Sequence, residues 1–327
     1  MSVEELDVVL TFLDVGHGDA TVLRFREGHN VRTVVVDGGG PDHSGDLLDY
    51  LLRNTITTID LMVATHVDRN HVAGLIPVVE SDRVAVHNFW GPGCESTQPS
   101  VPGLRTPDER TYQRLYARVN QALRPEHILC PTRGMPLPAL STAARFTVLN
   151  PARANVLKPT PENAPQKKPA ELALEQNELA TVLHIECYGL NILLASDVEG
   201  PFWDTAAADA DLQRLLEVDV LKAPNYGRAS GLPRAAAGVL RTGYAVFSLG
   251  AETDGEPSEE AIALMRQIGA EVICTEHAPD NGFCGSPTCP AARGGQNVVF
   301  CRRRGDSSYS TSAYFCPRPG TGQAPPG

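Results

Sequence analysis

The stretch Ile59-Asp60-Leu61-Met62-Val63-Ala64-Thr65, followed without a break by His66-Val67-Asp68-Arg69-Asn70-His71, constrains this chain most. The first seven residues are mostly apolar and read as a short buried strand. Residues 72–79 can start a helix. A strand end that feeds a tight loop aims several side chains at one point. Imidazole and carboxylate are good ligands for a borderline cation such as zinc. Taken alone, the six residues also suit two surface histidines flanking polar turn residues, so the rest of the chain has to decide.

Polar residues recur at the ends of other apolar runs. Asp14-Val15-Gly16-His17-Gly18-Asp19-Ala20 lies between strands expected at residues 8–13 and 20–25. Asp37-Gly38-Gly39 closes a third, 32–36, and tight turns are expected to join the three as an antiparallel meander. Leu193-Leu194-Ala195-Ser196-Asp197 and Val218-Asp219-Val220-Leu221-Lys222-Ala223-Pro224-Asn225-Tyr226-Gly227 repeat the pattern later. An α/β-type fold keeps its site at such strand ends.

The remaining periodicity predicts helices at 47–52, 111–123, 202–216, 232–242 and 259–268. It predicts strands at 179–187, 191–195, 218–222, 244–249, 271–274, 298–302 and 308–315. Residues 94–109 and 151–176 read as loop excursions, and the Pro/Gly-rich 317–327 as a disordered tail. One domain over 1–316 is expected, an α/β fold of two stacked sheets covered by helices.

Acidic residues outnumber basic ones by 39 to 28, for a net charge of -11, which argues against a broad nucleic-acid-gripping face. It leaves room for a small site that handles one phosphate. The start, Met1-Ser2-Val3-Glu4-Glu5, lacks the charged and apolar regions of a secretion signal, and no apolar run is long enough to span a membrane. A cytoplasmic location, with no membrane partner, is the expectation. Five of the eight cysteines crowd 274–316, where Cys284-Gly285-Ser286-Pro287-Thr288-Cys289 allows a structural zinc or simply reduced, packed thiols. His184 alternates with Val182 and Glu186, as on one face of a strand, and Arg302-Arg303-Arg304 reads as a solvated turn.

From about Val8 to Gly250, and more weakly to Phe315, the ordered series resembles the metallo-β-lactamase superfamily, most of all the hydrolase domain of the competence DNA-uptake channel (ComEC-type). The D-V-G-x-G-D-A loop is matched by Asp14 to Ala20, D-x-G by Asp37-Gly38-Gly39, and T-H-x-D-x-D-H by Thr65 to His71 at all but one position. V-L-x-P is matched by Val148-Leu149-Asn150-Pro151 and the later G-D by Ser196-Asp197. The resemblance implies a metallo-β-lactamase-type αββα sandwich, two mixed β-sheets flanked by helices. It implies a metal-dependent hydrolase acting on a phosphodiester or nucleic acid.

Two departures stand out. Where the resemblance calls for a metal-binding Asp, this chain has Asn70, and P-H-H-G is replaced by Pro224-Asn225-Tyr226-Gly227. The ligands left are His66, Asp68, His71 and Asp197. Two divalent ions about 3.5 Å apart repel by roughly 20 kcal/mol at an effective dielectric of about 20. Too few carboxylates remain to offset that, so at most one zinc is expected. Asn70 can hydrogen-bond a water but cannot act as a carboxylate base. His71 serves as ligand or proton carrier, and Tyr226 as a donor to developing charge. Two readings stay open: a one-metal hydrolase, and a catalytically inactive pseudoenzyme that binds or regulates a protein partner. A substitute ligand from His43, His87 or His277 would favour the first.

Overall fold

Alternation of side chains builds the sheets. In the computed structural model, residues 6–92, 106–156, 176–250, 256–276, 296–303 and 312–317 are described. Strands β1 (Leu6–Phe12), β2 (Thr21–Glu27) and β3 (Asn30–Val36) form the antiparallel meander. The chain continues through β4 (Thr58–Ile59), β5 (Leu61–Val63), β6 (Ala85–Val86), β7 (Phe89–Trp90) and β8 (Ile128–Leu129). β9 (Ala144–Asn150), β10 (Val182–Cys187), β11 (Leu190–Leu194), β12 (Glu217–Lys222), β13 (Arg241–Phe247) and β14 (Glu271–Cys274) follow. β15 (Gln296–Arg303) and β16 (Ser312–Pro317) are the last.

One sheet runs β16-β15-β1-β2-β3-β5-β7-β8, the other β14-β13-β12-β11-β10-β9, and β4 pairs only with β6. Each large sheet has an antiparallel part and a parallel part: β3, β5, β7 and β8 in the first, β11 to β14 in the second. Parallel strands covered on both faces read as continuous apolar runs, as Val34-Val35-Val36 and Ile192-Leu193-Leu194 do.

The faces can be sorted by what they touch. Val34, Val36, Ile192 and Leu194 point between the sheets, with Leu10, Phe12, Leu183, Ile185 and Val220. Val35 and Met62 point outward onto Leu47 and Leu51 of the helix Asp46–Arg53, and onto Leu115 and Val119 of the helix Pro107–Ala122. Leu193 and Leu221 point outward on the far side, onto Phe202, Trp203, Leu264 and Met265 of the helices Gly200–Ala208 and Glu259–Gln267. The layers are therefore helix, sheet, sheet, helix: an αββα sandwich of mixed sheets, as expected. No helix among the described residues is long and apolar enough to cross a membrane.

Several boundaries differ from the sequence reading, each for a local reason. The helix expected at 111–123 starts at Pro107, because Thr106 and Glu109 form a reciprocal capping box; residues 106–109 are helix start, not loop. The strand expected at 59–65 breaks at Asp60, whose carboxylate accepts from Arg32 and from the Thr33 N–H. The helix expected at 202–216 breaks at Asp209, which caps a second helix at Ala210–Arg214. β1 and β2 are joined by the long Leu13–Ala20 loop rather than a tight turn. Arg302 and Arg303 belong to β15 and pair with Val8 and Leu6, so they are strand rather than solvated turn. The two-residue strands β7 and β8 are too short to carry a period. Residues 93–105, 157–175, 277–295 (with Cys284, Cys289 and His277) and 318–327 lie outside the described residues.

Glu27 ties the β2–β3 hairpin to the approach to β9. Its carboxylate accepts from Thr142 N–H at 2.7 Å, Ser141 Oγ at 2.8 Å and Arg32 Nε at 2.8 Å. The Thr142 N–H first, then the Ser141 hydroxyl and the Arg32 guanidinium, hold its pKa down at about 2. A depressed carboxylate stabilises above its unfolded pKa and loses that contribution as pH falls through the folded one. Glu27→Gln is therefore expected to be less stable than wild type at neutral pH, with the gap closing between about pH 4.5 and 2. Urea unfolding across that range checks it; a gap of constant size would be the wrong result.

Candidate active site

The cleft forms where the parallel strands of both sheets end, because each carries a polar residue just past its last apolar one. After β3, Asp37 takes φ +59° and turns its carboxylate back across the strand ends. That carboxylate accepts from Thr65 N–H, Thr65 Oγ1–H and His71 Nδ1–H, each at 2.8 Å. Asp68 caps the short helix Arg69–Val72, its carboxylate accepting from Asn70 N–H at 2.7 Å. The loops are cross-tied at very short range: Gly38 N–H donates to His71 O at 2.6 Å, and Gly39 N–H to Asp19 O at 2.8 Å. A Cβ on Gly74 would lie 1.8 Å from Gly38 O.

The second sheet supplies the opposite wall. Ser196 (φ +50°) and Asp197 follow β11, and Lys222 ends β12. The turn Pro224–Gly227 then places Asn225, Tyr226 and Gly227 all at positive φ. Thr181 N–H donates to Thr65 O at 2.9 Å, linking the two walls directly.

His66 and His71 lie with ring centroids 4.3 Å apart, both buried. Their hydrogen bonds fix the tautomer of His66. Thr65 Oγ1 gives its hydrogen to Asp37 and accepts one from Ser196 Oγ at 2.7 Å. Having no hydrogen left, it can only accept from His66 Nδ1, 3.1 Å away. The proton of His66 is thus on Nδ1, and the Nε2 lone pair faces the cleft. That buried Nε2 has no hydrogen-bond partner among the described residues, and neither does Asp197 Oδ1. His66 Nε2 is 3.9 Å from Asp197 Oδ2, and Asp197 Oδ2 is 3.3 Å from His71 Nε2. Two ligands held at about 2.0–2.1 Å around a tetrahedral ion sit roughly 3.3 Å apart.

His71 continues the series on its other side: Nδ1 on Asp37, Nε2 at 2.8 Å from the Tyr226 hydroxyl. His17 packs on the Tyr226 ring at 4.3 Å. Burial lowers the pKa of His66, and neighbouring His71 lowers it further, keeping it neutral. Burial also opposes charge on His71, but the Asp197 and Asp37 carboxylates outweigh it and raise its pKa well above the usual histidine range. Asp197 is driven the other way: burial disfavours its charge, yet His71 and Lys222 hold its carboxyl below the ordinary carboxylate range. Burial and then the nearby carboxylates push the Tyr226 phenol up, so it stays protonated.

Of the residues singled out from sequence, His66, His71, Asp197 and Tyr226 meet in this cleft. Asp68 is used as a helix cap, though its charge still bears on His66 and Tyr226. Asn70 turns its amide toward the Gly38–Gly40 turn, where Oδ1 would be 3.3 Å from a Cβ on Gly40. Of the two positions replacing the missing histidines, only Tyr226 faces the cleft; Asn225 Nδ2 donates to Glu199 Oε1 at 2.8 Å. His43 is held by Asp46 at 2.9 Å, and His87 is exposed; neither joins the cluster. His184 sits on β10 opposite Thr147 and Leu193. Asp19, Asp37, Thr65, Ser196 and Lys222 stood inside the quoted motifs without being assigned roles. The signal that marks them is burial of polar groups at strand ends, which needs the fold.

No family model matches the chain, and no curated protein matches it. Solved structures do. One is the metallo-β-lactamase fold protein YhfI from Bacillus subtilis, at 10% identity and TM-score 0.46, covering 82% of this chain and 96% of that one. Zn(2+)-bound PqqB from Methylobacterium extorquens aligns at 11% identity and TM-score 0.44, over 82% and 97% of the two chains. A diphosphatase from the PhnP family aligns at 13% identity and TM-score 0.44, over 82% and 94%. At these scores the αββα description rests on this chain's own layers and strand order.

Proposed function

We propose that the cleft is a one-metal hydrolytic centre, with zinc as the fitting ion and a phosphodiester or nucleic acid as substrate. The observation that carries this reading is the buried, unpartnered Nε2 lone pair of His66, fixed by Thr65 and facing Asp197. A buried acceptor with no donor is costly unless something fills the space before it. His66 and Asp197 would hold the ion. His71 would join when its Nε2 turns from the Tyr226 hydroxyl, and Asp68 when it leaves its capping bond. A divalent ion bound there supplies Lewis acidity to a phosphoryl oxygen and acidifies a water. The chain's own residues do the rest. Tyr226 Oη–H donates a hydrogen bond to the charge that develops on the leaving oxygen, and Asp37 orients His71 through its Nδ1–H.

Elemental mass spectrometry on chelator-free protein is expected to find about one ion per chain, lost in His66→Ala. Tyr226→Phe is expected to keep the ion but lower kcat on a phosphodiester by roughly 10²–10³. Phenylalanine with unchanged kcat would remove Tyr226 from the chemistry.

A second reading, a pseudoenzyme that serves as a binding or regulatory module for a protein partner, is favoured by one observation. The Tyr226 hydroxyl already occupies the nitrogen that His71 would offer a metal. Metal-free protein with no hydrolysis would decide for it.

A further inference from the structure

Two groups of buried side chains in the cleft bring their donor atoms within 4.8 Å of one another: His66, His71 and Asp197, and Asp19, Asp37 and His71. By charge the second, with two carboxylates, is the stronger attraction for a cation. It already holds one. The Lys222 ammonium is paired directly with Asp19 Oδ2, and lies 3.4 Å from Ser196 O and 3.9 Å from Asp197 Oδ1. Lys222 is only 2% exposed, and it ends a strand hydrogen-bonded between β11 and β13, so the ammonium is buried in the cleft.

We infer that Lys222 is the resident cation of the inner acidic group and restricts the cleft to a single divalent ion, on the His66 side. The inference builds on the one-metal reading. With an ion on the Nε2 atoms of His66 and His71 both rings are neutral, and three buried carboxylates (Asp19, Asp37 and Asp197) are then balanced by one ammonium and that divalent ion. A second divalent ion would leave the cleft two charges positive in a buried setting, where like charges are little screened. The carboxylate oxygens Asp19 Oδ1 and Asp197 Oδ1 are buried and have no hydrogen-bond partner among the described residues. Removing the ammonium would expose a ready oxygen site between them, the kind of ligand set that takes a divalent ion.

The test is metal stoichiometry on the full chain, stripped with chelator, loaded with zinc and desalted, comparing wild type, Lys222→Met and Lys222→Met with Asp19→Asn. The expected result is one ion in wild type, two in Lys222→Met and one again in the double variant. Two ions in wild type, or one in Lys222→Met, overturns the inference. No ion in wild type but one in Lys222→Met, lost with Asp19→Asn, upholds Lys222 as the resident cation of the inner group and removes the one-metal reading on the His66 side. Should Lys222→Met fail to fold, refolding with millimolar zinc is the second measurement. Rescue by zinc but not by potassium is expected, and absence of rescue overturns the inference.

Discussion

Replacing Asp37 with alanine is expected to lower the unfolding free energy by about 3–5 kcal/mol. Its carboxylate accepts from three buried donors: the Thr65 N–H, the Thr65 hydroxyl and His71 Nδ1–H. Alanine leaves all three unsatisfied, and each buried unsatisfied group costs roughly 1–3 kcal/mol. Alanine must also hold φ +59°, a left-handed conformation that suits asparagine or aspartate better. Asp37→Asn keeps the shape and one acceptor oxygen, so it should recover part of the loss. Urea unfolding of the two variants measures the difference. A loss under about 1 kcal/mol in Asp37→Ala would mean that the three donors find other acceptors.

Gly74→Ala is expected to be worse still, costing more than about 4 kcal/mol or abolishing soluble expression. The new Cβ would lie 1.8 Å from Gly38 O and 2.7 Å from Gly38 C, both backbone atoms that cannot swing away. Relief requires the Gly38–Gly40 turn to part from the helix Leu75–Glu80, and that turn is what sets Asp37 beneath Thr65 and His71. Gly45→Ala is the matched control: nothing lies within 4 Å of its Cβ and its φ is -83°. Equal melting temperatures for the two variants would contradict the contact.

The layers were readable because they obey short periods. Val34-Val35-Val36 and Ile192-Leu193-Leu194 announce strands buried on both faces, and Leu47, Leu48, Leu51 and Leu52 announce a helix. Among the elements that escaped, Phe89–Trp90 and Ile128–Leu129 are only two residues long, and Ala144–Asn150, though seven long, shows no clean alternation, its buried positions being Ala144, Val148, Leu149 and Asn150. The cleft was readable where a residue type is rare at a strand end, as with His66, His71 and Asp197. It was unreadable where the role depends on partners distant in sequence. Lys222 looks like an ordinary strand-terminal lysine until Asp19 is brought to it from 203 positions earlier. Asn225 and Tyr226 are adjacent in the chain, and only their backbone angles decide which one enters the cleft.

His66 and His71 stand on one wall and Asp197 on the other, with Thr65 O and Thr181 N–H bridging the seam. An ion held by both walls is a clasp between the two halves of the chain, so occupancy and folding share one equilibrium. At a hundredfold excess over its dissociation constant, such an ion adds about 2.7 kcal/mol to the folded state. The lifetime of the protein in a cell would then follow the local supply of metal, and scarcity would deplete the chain by turnover before it limited the reaction.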